Sequence, residues 1–424
     1  MKRKLVLNGI VVGIMAGIFS VLYRLLLELA ANIRNLLFSD VSLIGILRNI
    51  AIFILMALIV YLVLKFEPLS SGSGIPQVQA ENLGYLNMQP VKVLFGKIIG
   101  GVAANIGGLS LGREGPSIQI GAATGKICAI VMNRTGDDMI RMVSAGASAG
   151  LSAAFNAPVA GTLFTLEEMH KNFTATLLVP SFIASVIADF ISENIFGIRP
   201  IFSFVVTKPL PLHSYWHLLI FGVFVSLSGI LFNKLLLLSL NVYDIIKVPL
   251  FIKRLLPFIA TLIIGYFALE LLGGGHNLIT GVDKEPMALW LMIVLFIAKL
   301  LLTCFCYGSG AQGGIFLPVL VLGGLCGAIY YTAMSNCGIF VSDYYSNFII
   351  IGMVGYLTAV VRSPILSILL VTEMTGNFSN LLSTSMVAIV AYVIANSMNV
   401  APIYESLLER ILKNIKTDKL EDVK

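Results

Sequence analysis

Charge is scarce in this sequence. Lys and Arg number 28 and Asp and Glu 22 among 424 residues, a charged fraction of 12%, where soluble domains carry about a quarter. Too few charges to coat a water-facing surface, with 58% apolar residues and a mean hydropathy of +0.94, make a bilayer the expected solvent. Linkers are missing too: no charged, Ser-rich or Pro-rich stretch divides the chain, which argues against separate domains. Cysteine is sparse and odd in number (Cys128, Cys304, Cys306, Cys326 and Cys337) and histidine sparser still (His170, His213, His217 and His276). Neither set has metal-ligand spacing, so buried reduced thiols are expected, with no disulfide framework, metal site or cofactor.

What is present is apolar sequence in long pieces: Leu5 to Leu37, Ile50 to Leu64, Leu177 to Ile195, Trp216 to Leu240, Leu255 to Leu272, Ala288 to Tyr307, Phe316 to Val341 and Ser383 to Asn399. Several are long enough to cross hydrocarbon as helices. The expectation is one all-helical transmembrane domain over 1–424, with halves at about 5–200 and 210–412 and a short tail at 413–424. Lys2, Arg3 and Lys4 precede a first apolar run that is interrupted by Arg24 and Glu28 and shows no cleavage site; it reads as an uncleaved helix. Arg410, Lys413, Lys416 and Lys419 follow the last run. Positive-inside bias then places both termini in the cytoplasm, in a cell inner membrane. The tail interleaves Glu405, Glu409, Asp418, Glu421 and Asp422 with its basic residues, which suits a solvated end and not a nucleic-acid arm.

The chain partly repeats itself at half its length. Gly146 to Pro158 (GASAGLSAAFNAP) matches Gly352 to Pro364 (GMVGYLTAVVRSP), and after one residue of slippage Glu168, Met169, Asn172 and Phe173 meet Glu373, Met374, Asn377 and Phe378. Internal duplication in a membrane chain predicts a transport fold of two related halves with the substrate at their interface.

Glycine and proline cluster inside apolar surroundings at Gly72-Ser-Gly-Ile-Pro76, Gly112-Arg-Glu-Gly-Pro116 and Gly313-Gly-Ile-Phe-Leu-Pro318. Proline suits a first helical turn, because the donor it lacks would have no intrahelical partner there; glycine lets backbone amides approach a ligand. Each cluster predicts a helix start at membrane depth, which is tolerated only inside protein or along a wet cavity. Helix starts favour anions, each by about 0.3 to 2 kcal/mol, so several must converge to hold a dehydrated one.

These three motifs, in this order, resemble the anion-pathway motifs of the CLC chloride channel and transporter family. Ala149 to Met169 (AGLSAAFNAPVAGTLFTLEEM) resembles that family's intermediate stretch, and Tyr404 in Ala401-Pro-Ile-Tyr its late pathway tyrosine. The resemblance runs from about Leu5 to Leu412 and is closest to bacterial proton/chloride exchangers. It implies two inverted repeats of tilted, broken helices in a homodimer with one pore per subunit, with Glu168 and Glu373 at the ends of interface-forming helices. It implies that the hydroxyls of Ser73 and Tyr404 and the amides of Ile315 and Phe316 hold a central chloride, while the amides of Arg113, Gly115 and Leu317 line an outer stretch. Neutral donors of this kind bind the ion and still release it.

Glu114 stands at a helix start, where its carboxylate can occupy an anion's place, and protonation makes it let go. Glu168 follows an apolar run, where a carboxylate costs about 2.5 to 3.5 kcal/mol to insert; in the family such a residue relays protons toward the outer glutamate. Two adjacent acids are not told apart by sequence alone; the resemblance selects Glu168 and leaves Glu167 to an interfacial, solvated role. Lys97 resembles a buried lysine near this internal acid, but Gln77 and Gln79 stand where familiar bacterial exchangers carry acids. With Gln79 unable to pair it, Lys97 is expected either to pair Glu168 directly or to lose its charge.

The expected function is proton-coupled chloride transport, with a passive chloride channel as the alternative and a fluoride exporter of the same fold behind it. The fluoride branch usually departs from GSGIP and lacks the tyrosine; nitrate exchangers of plants carry proline at the Ser73 place. Enzymatic function is not expected: serines near Gly72 and Gly308 lie outside any nucleophile-elbow pattern, and GAATGK at Gly121 to Lys126 is one residue short of a phosphate loop. The paired cytoplasmic domains of many eukaryotic members are not seen by residue 424, so nucleotide regulation through them is not expected.

Overall fold

The computed structural model describes residues 2–340 and 344–421, with side chains described for 3–340 and 344–415. Val341, which ends one apolar stretch, and residues 422–424 of the expected tail lie outside the described residues, as do the side chains of Lys2, Lys416, Asp418, Lys419 and Glu421.

Seventeen α-helices occupy the described residues, and the first sixteen fall into two series of eight. The first is α1 (Lys2–Ser39), α2 (Leu43–Phe66), α3 (Ile75–Asn82), α4 (Pro90–Ile106), α5 (Glu114–Val131), α6 (Asp137–Phe155), α7 (Pro158–Leu163) and α8 (Ala175–Phe196). The second is α9 (Trp216–Ile245), α10 (Leu250–Phe267), α11 (His276–Lys284), α12 (Leu289–Gly308), α13 (Phe316–Asn336), α14 (Tyr345–Val361), α15 (Pro364–Thr375) and α16 (Leu381–Ser397). A last helix, α17 (Ile403–Glu421), has no counterpart.

The same backbone devices recur at equivalent places. Left-handed Gly74 precedes α3 and left-handed Gly275 precedes α11, while Asn156 and Arg362, both left-handed, end α6 and α14. Proline opens α7 and α15. Lys97 in α4 donates to the carbonyls of Ser71 and Gly72 in the loop before α3; Lys299 in α12 donates to those of Leu271 and Gly273 before α11. The repeat read from thirteen residues of sequence therefore extends over sixteen helices.

Seven helices among the described residues are long and apolar enough to cross a membrane, and their outward faces carry residues such as Leu36, Ile44, Phe190 and Phe267, all strongly exposed. Between helices lipid-like packing leaves no hydrophobic gain, so contact relies on small residues that let backbones meet. On α1, Gly9, Gly13 and Gly17 face Pro180, Ala184 and Ala188 of α8. Between α5 and α6 a Cβ on Gly121 would stand 2.0 Å from the Gly146 carbonyl oxygen, and between α13 and α14 one on Gly352 would stand 2.2 Å from that of Gly323. Gly121→Ala therefore pushes on backbone that cannot turn aside. Its expected cost is at least about 1 to 3 kcal/mol, read as a lowered thermal unfolding midpoint in detergent. The GAATGK stretch lies inside α5, as a packing face and not a loop.

Candidate functional site

The three glycine-proline motifs each open a helix: α3 begins at Ile75, α5 at Glu114 and α13 at Phe316. Their loops are stitched together through the backbone. Gly112 and Gly314 exchange amide-to-carbonyl hydrogen bonds of 2.7 and 2.8 Å, and the Gly72 amide donates to Gly310 while that of Gly313 donates to Gly72. The starts of α3 and α5 touch: a Cβ on Gly115 would lie 2.8 Å from the Ser73 Cβ. Glycine is required there because any side chain fills the space between the helix starts.

Around this junction the structure gathers Ser73, Glu114, Gly115, Ile315, Phe316 and Tyr404, all buried. The Ser73 hydroxyl accepts from the Ile75 amide at 3.3 Å and also meets the Tyr307 hydroxyl. Tyr404, in the first turn of α17, is fully buried and its hydroxyl has no partner. Buried polar atoms are nearly always bonded, so an orphan hydroxyl aimed into a junction of helix starts points to a ligand. Tyr307, which the sequence reading missed, sits beside Ser73; it lies in the glycine-rich run just ahead of Gly313.

Glu114 is 0% exposed. The amides of Glu114 itself and of Leu317 are directed toward its carboxylate, yet neither oxygen completes a hydrogen bond. A Cβ on Gly112 would stand 2.2 Å from Oε2, so this glycine makes the room the carboxylate occupies. Arg113 turns away and donates to the Ala154 carbonyl. Beyond Glu114 opens a cavity of about 590 Å³ whose wall includes Arg24, Arg34, Arg113, Arg199 and His276. Glu28, which pairs with Arg24, and Glu270 also line it, so the four arginines leave only a modest positive excess, which favours anions. The sequence reading found Arg113 alone, because the other three and His276 come from α1, α11 and the loop after α8.

Glu168 is likewise buried, on a π-helical turn over Phe164–Met169 that continues α7. Its Oε2 accepts from the Ser363 hydroxyl at 2.6 Å, and its Oε1 has no partner. Gln79 lies next to it, with its amide donating to the Glu168 main-chain carbonyl at 3.2 Å. The direct pairing of Lys97 with Glu168 is not made. The lysine holds the Ser71 and Gly72 carbonyls instead, as the repeat requires of it.

Two further expectations are corrected. Glu167 is no solvated bystander: its carboxylate caps α15, accepting from the amides of Ile365 (3.1 Å) and Leu366 (2.6 Å). Glu373 does the same for α7, accepting from Val159 (3.1 Å) and Ala160 (2.8 Å). Glu373 is therefore the counterpart of Glu167, not of Glu168. Counting from Pro158 and Pro364 both stand at the ninth residue onward, and the slippage seen in the sequence is the extra residue that the π turn absorbs. Tyr404 links the two acids, since its hydroxyl lies within electrostatic reach of both Glu114 and Glu168.

Residues 53–396 match the family described as voltage gated chloride channel. The H(+)/Cl(-) exchange transporter ClcA of Vibrio vulnificus is 34% identical over 423 residues, covering 96% of this chain and 89% of its own, and that of Citrobacter koseri is 34% identical with the same coverage. Among solved structures, a slow cyanobacterial Cl-/H+ antiporter superposes with a TM-score of 0.91 at 30% identity, covering 97% of this chain and 98% of its own. A CLC-type fluoride/proton antiporter superposes at 0.79 with 22% identity over 94% and 96%, a likeness of fold.

Proposed function

The chain belongs to the voltage gated chloride channel family, and from that premise we propose that it carries chloride across a membrane in exchange for protons. One observation carries the reading: the buried Glu114 carboxylate lies unbonded where the starts of α5 and α13 meet. A carboxylate among helix-start amides is a tethered anion. It holds the place while ionised and yields it to chloride once protonated, so anion and proton movements meet in one side chain.

The central ion is assigned to the hydroxyls of Ser73 and Tyr404 and the amides of Ile315 and Phe316, with the amides of Arg113, Gly115 and Leu317 lining the outer stretch. All are neutral donors, which replace part of the ion's hydration without trapping it. The orphan Tyr404 hydroxyl supports this assignment. Glu168 is assigned the internal proton relay, supported by Gln79 and, through the Ser71 and Gly72 carbonyls, by Lys97. In this reading the whole chain is one transmembrane domain in a cell inner membrane, both termini are cytoplasmic, and two copies form a homodimer with one pore in each.

The test is simultaneous recording of chloride and proton flux from purified protein in liposomes. A chloride gradient is expected to drive protons uphill. Chloride flux with no driven protons gives the passive channel instead, a reading that Gln77 and Gln79 would then explain, and a preference for fluoride over chloride gives the exporter.

A further inference from the structure

We propose that Ser363 is a positioning residue for the internal proton carrier, its hydroxyl setting how tightly Glu168 holds a proton. The inference rests on the relay assigned to Glu168 above. Ser363 stands at the residue before α15, the place where a serine ordinarily turns its oxygen back to cap the helix's own free amides. Here it makes no such cap. The Glu167 carboxylate takes the Ile365 and Leu366 amides, and the serine is left to donate outward to Glu168 Oε2 at 2.6 Å. Two neighbouring acids thus grip one helix start, the first through its backbone and the second through its serine.

The other half of the molecule supplies the comparison. The residue before α7 has similar backbone angles (φ −138°, ψ 75°, against −113° and 82° at Ser363) and its helix is capped by Glu373 in the same way. There the residue is Ala157, and only one acid follows on α15. The second acid exists only in the first half, on the π turn, and a hydroxyl exists only at the helix start that faces it. Capping needs no serine, as Ala157 demonstrates. The hydroxyl at 363 is explained by Glu168.

Of the other groups near Glu168, Gln79 is the one whose side chain also turns toward its carboxylate, more weakly than Ser363. Glu167, His170 and Lys171 are the titratable groups on its own segment, His170 bound to the Ser144 hydroxyl and Lys171 pairing with Glu405 of α17. Tyr404 of α17 is the nearby phenol, and α3 offers Gln79, whose amide donates to the Glu168 main-chain carbonyl at 3.2 Å. Of the helices packed against the π turn, α7 has no ionisable side chain; α6 carries Asp137, Asp138 and Arg141, paired with one another, Asp138 also with Lys4 of α1. Glu373 of α15 is held by α7, and α8 carries Asp189 and Glu193.

A donor on a carboxylate favours its ionised form, so without it Glu168 releases its proton only at higher pH. In liposomes with internal pH varied, Ser363→Ala is expected to move the Glu168 limb of the proton-flux profile up by about one pH unit. Ser363→Thr, which keeps the hydroxyl, restores the wild-type profile, and Ser363→Cys, a weak donor, falls between. Ala157→Ser, at the equivalent start, leaves the profile where it was. A wild-type profile for Ser363→Ala and Ser363→Cys overturns the inference while proton coupling stands. Wild-type protein that drives no protons sinks the relay itself, and this inference with it.

Discussion

Glu114→Gln is expected to reduce proton transport to background while chloride transport continues. The substitution keeps volume and shape and removes only the titratable oxygen. The native carboxylate is wholly buried with neither oxygen bonded, so the exchange breaks no formed hydrogen bond, and folding is not expected to suffer. The neutral amide competes poorly for helix-start amides that favour full negative charge, and the anion path stands open more of the time. Chloride turnover is expected within about tenfold of wild type, since one contact of about 1.4 kcal/mol separates the two side chains at most. Proton flux has no such remainder, because the group that would carry the proton at the mouth of the path is gone. Paired chloride and pH electrodes on liposomes read both quantities together. Persistent uphill proton movement in Glu114→Gln would remove the outer gate from the mechanism.

In the proposed mechanism the arginine-rich cavity outside Glu114 sets the side from which anions reach that gate. Arg24 is held by Asn156 and Ser192, lies over the Phe196 ring and pairs with Glu28, so its charge is fixed in place and partly offset. Arg34 donates to the Asn105 carbonyl. Such charges gather anions without binding them one to one, and in the proposed mechanism the neutral donors deeper in then take a single dehydrated ion. The gradation from charged vestibule to uncharged site is what fast release requires.

Helix starts were legible in the sequence because glycine and proline act locally: a residue that needs positive φ or lacks an amide announces itself within five positions. Glu114 was legible for the same reason. The repeat was legible where α6 and α14 end, since Asn156 and Arg362 each turn left-handed just before a proline-led helix. What was not legible depends on contacts across the chain. Ser363 and Glu168 are separated by 195 positions, and no local pattern ties them. Lys97 was read against Glu168 because buried charges usually seek opposite charge; two backbone carbonyls answered that need instead. The Glu167 and Glu168 ambiguity was a question of helical pitch, which composition does not encode: a wider turn over six residues sends one acid to cap α15 and the other to Ser363.

Glu168→Gln follows from that divergence and is best made beside Glu167→Gln. The first replaces an acid whose Oε1 has no partner and whose Oε2 takes the Ser363 proton. Glutamine keeps an acceptor for the serine and loses the capacity to carry a proton. Proton flux is expected to fall to background, with chloride flux retained because the side chain does not line the junction of α3, α5 and α13. The second replaces an acid that caps two amides at a helix start. Glutamine can still accept there but without charge, so the cost is expected in stability, about 1 kcal/mol, and proton coupling is expected to persist. Thermal unfolding in detergent and paired fluxes in liposomes separate the two effects. If coupling instead followed Glu167, the proton would enter through the capping acid and the π turn would only space it. If both variants still drove protons, Glu114 would have to draw them from the Tyr404 side of the junction, and the internal relay would be lost from the mechanism.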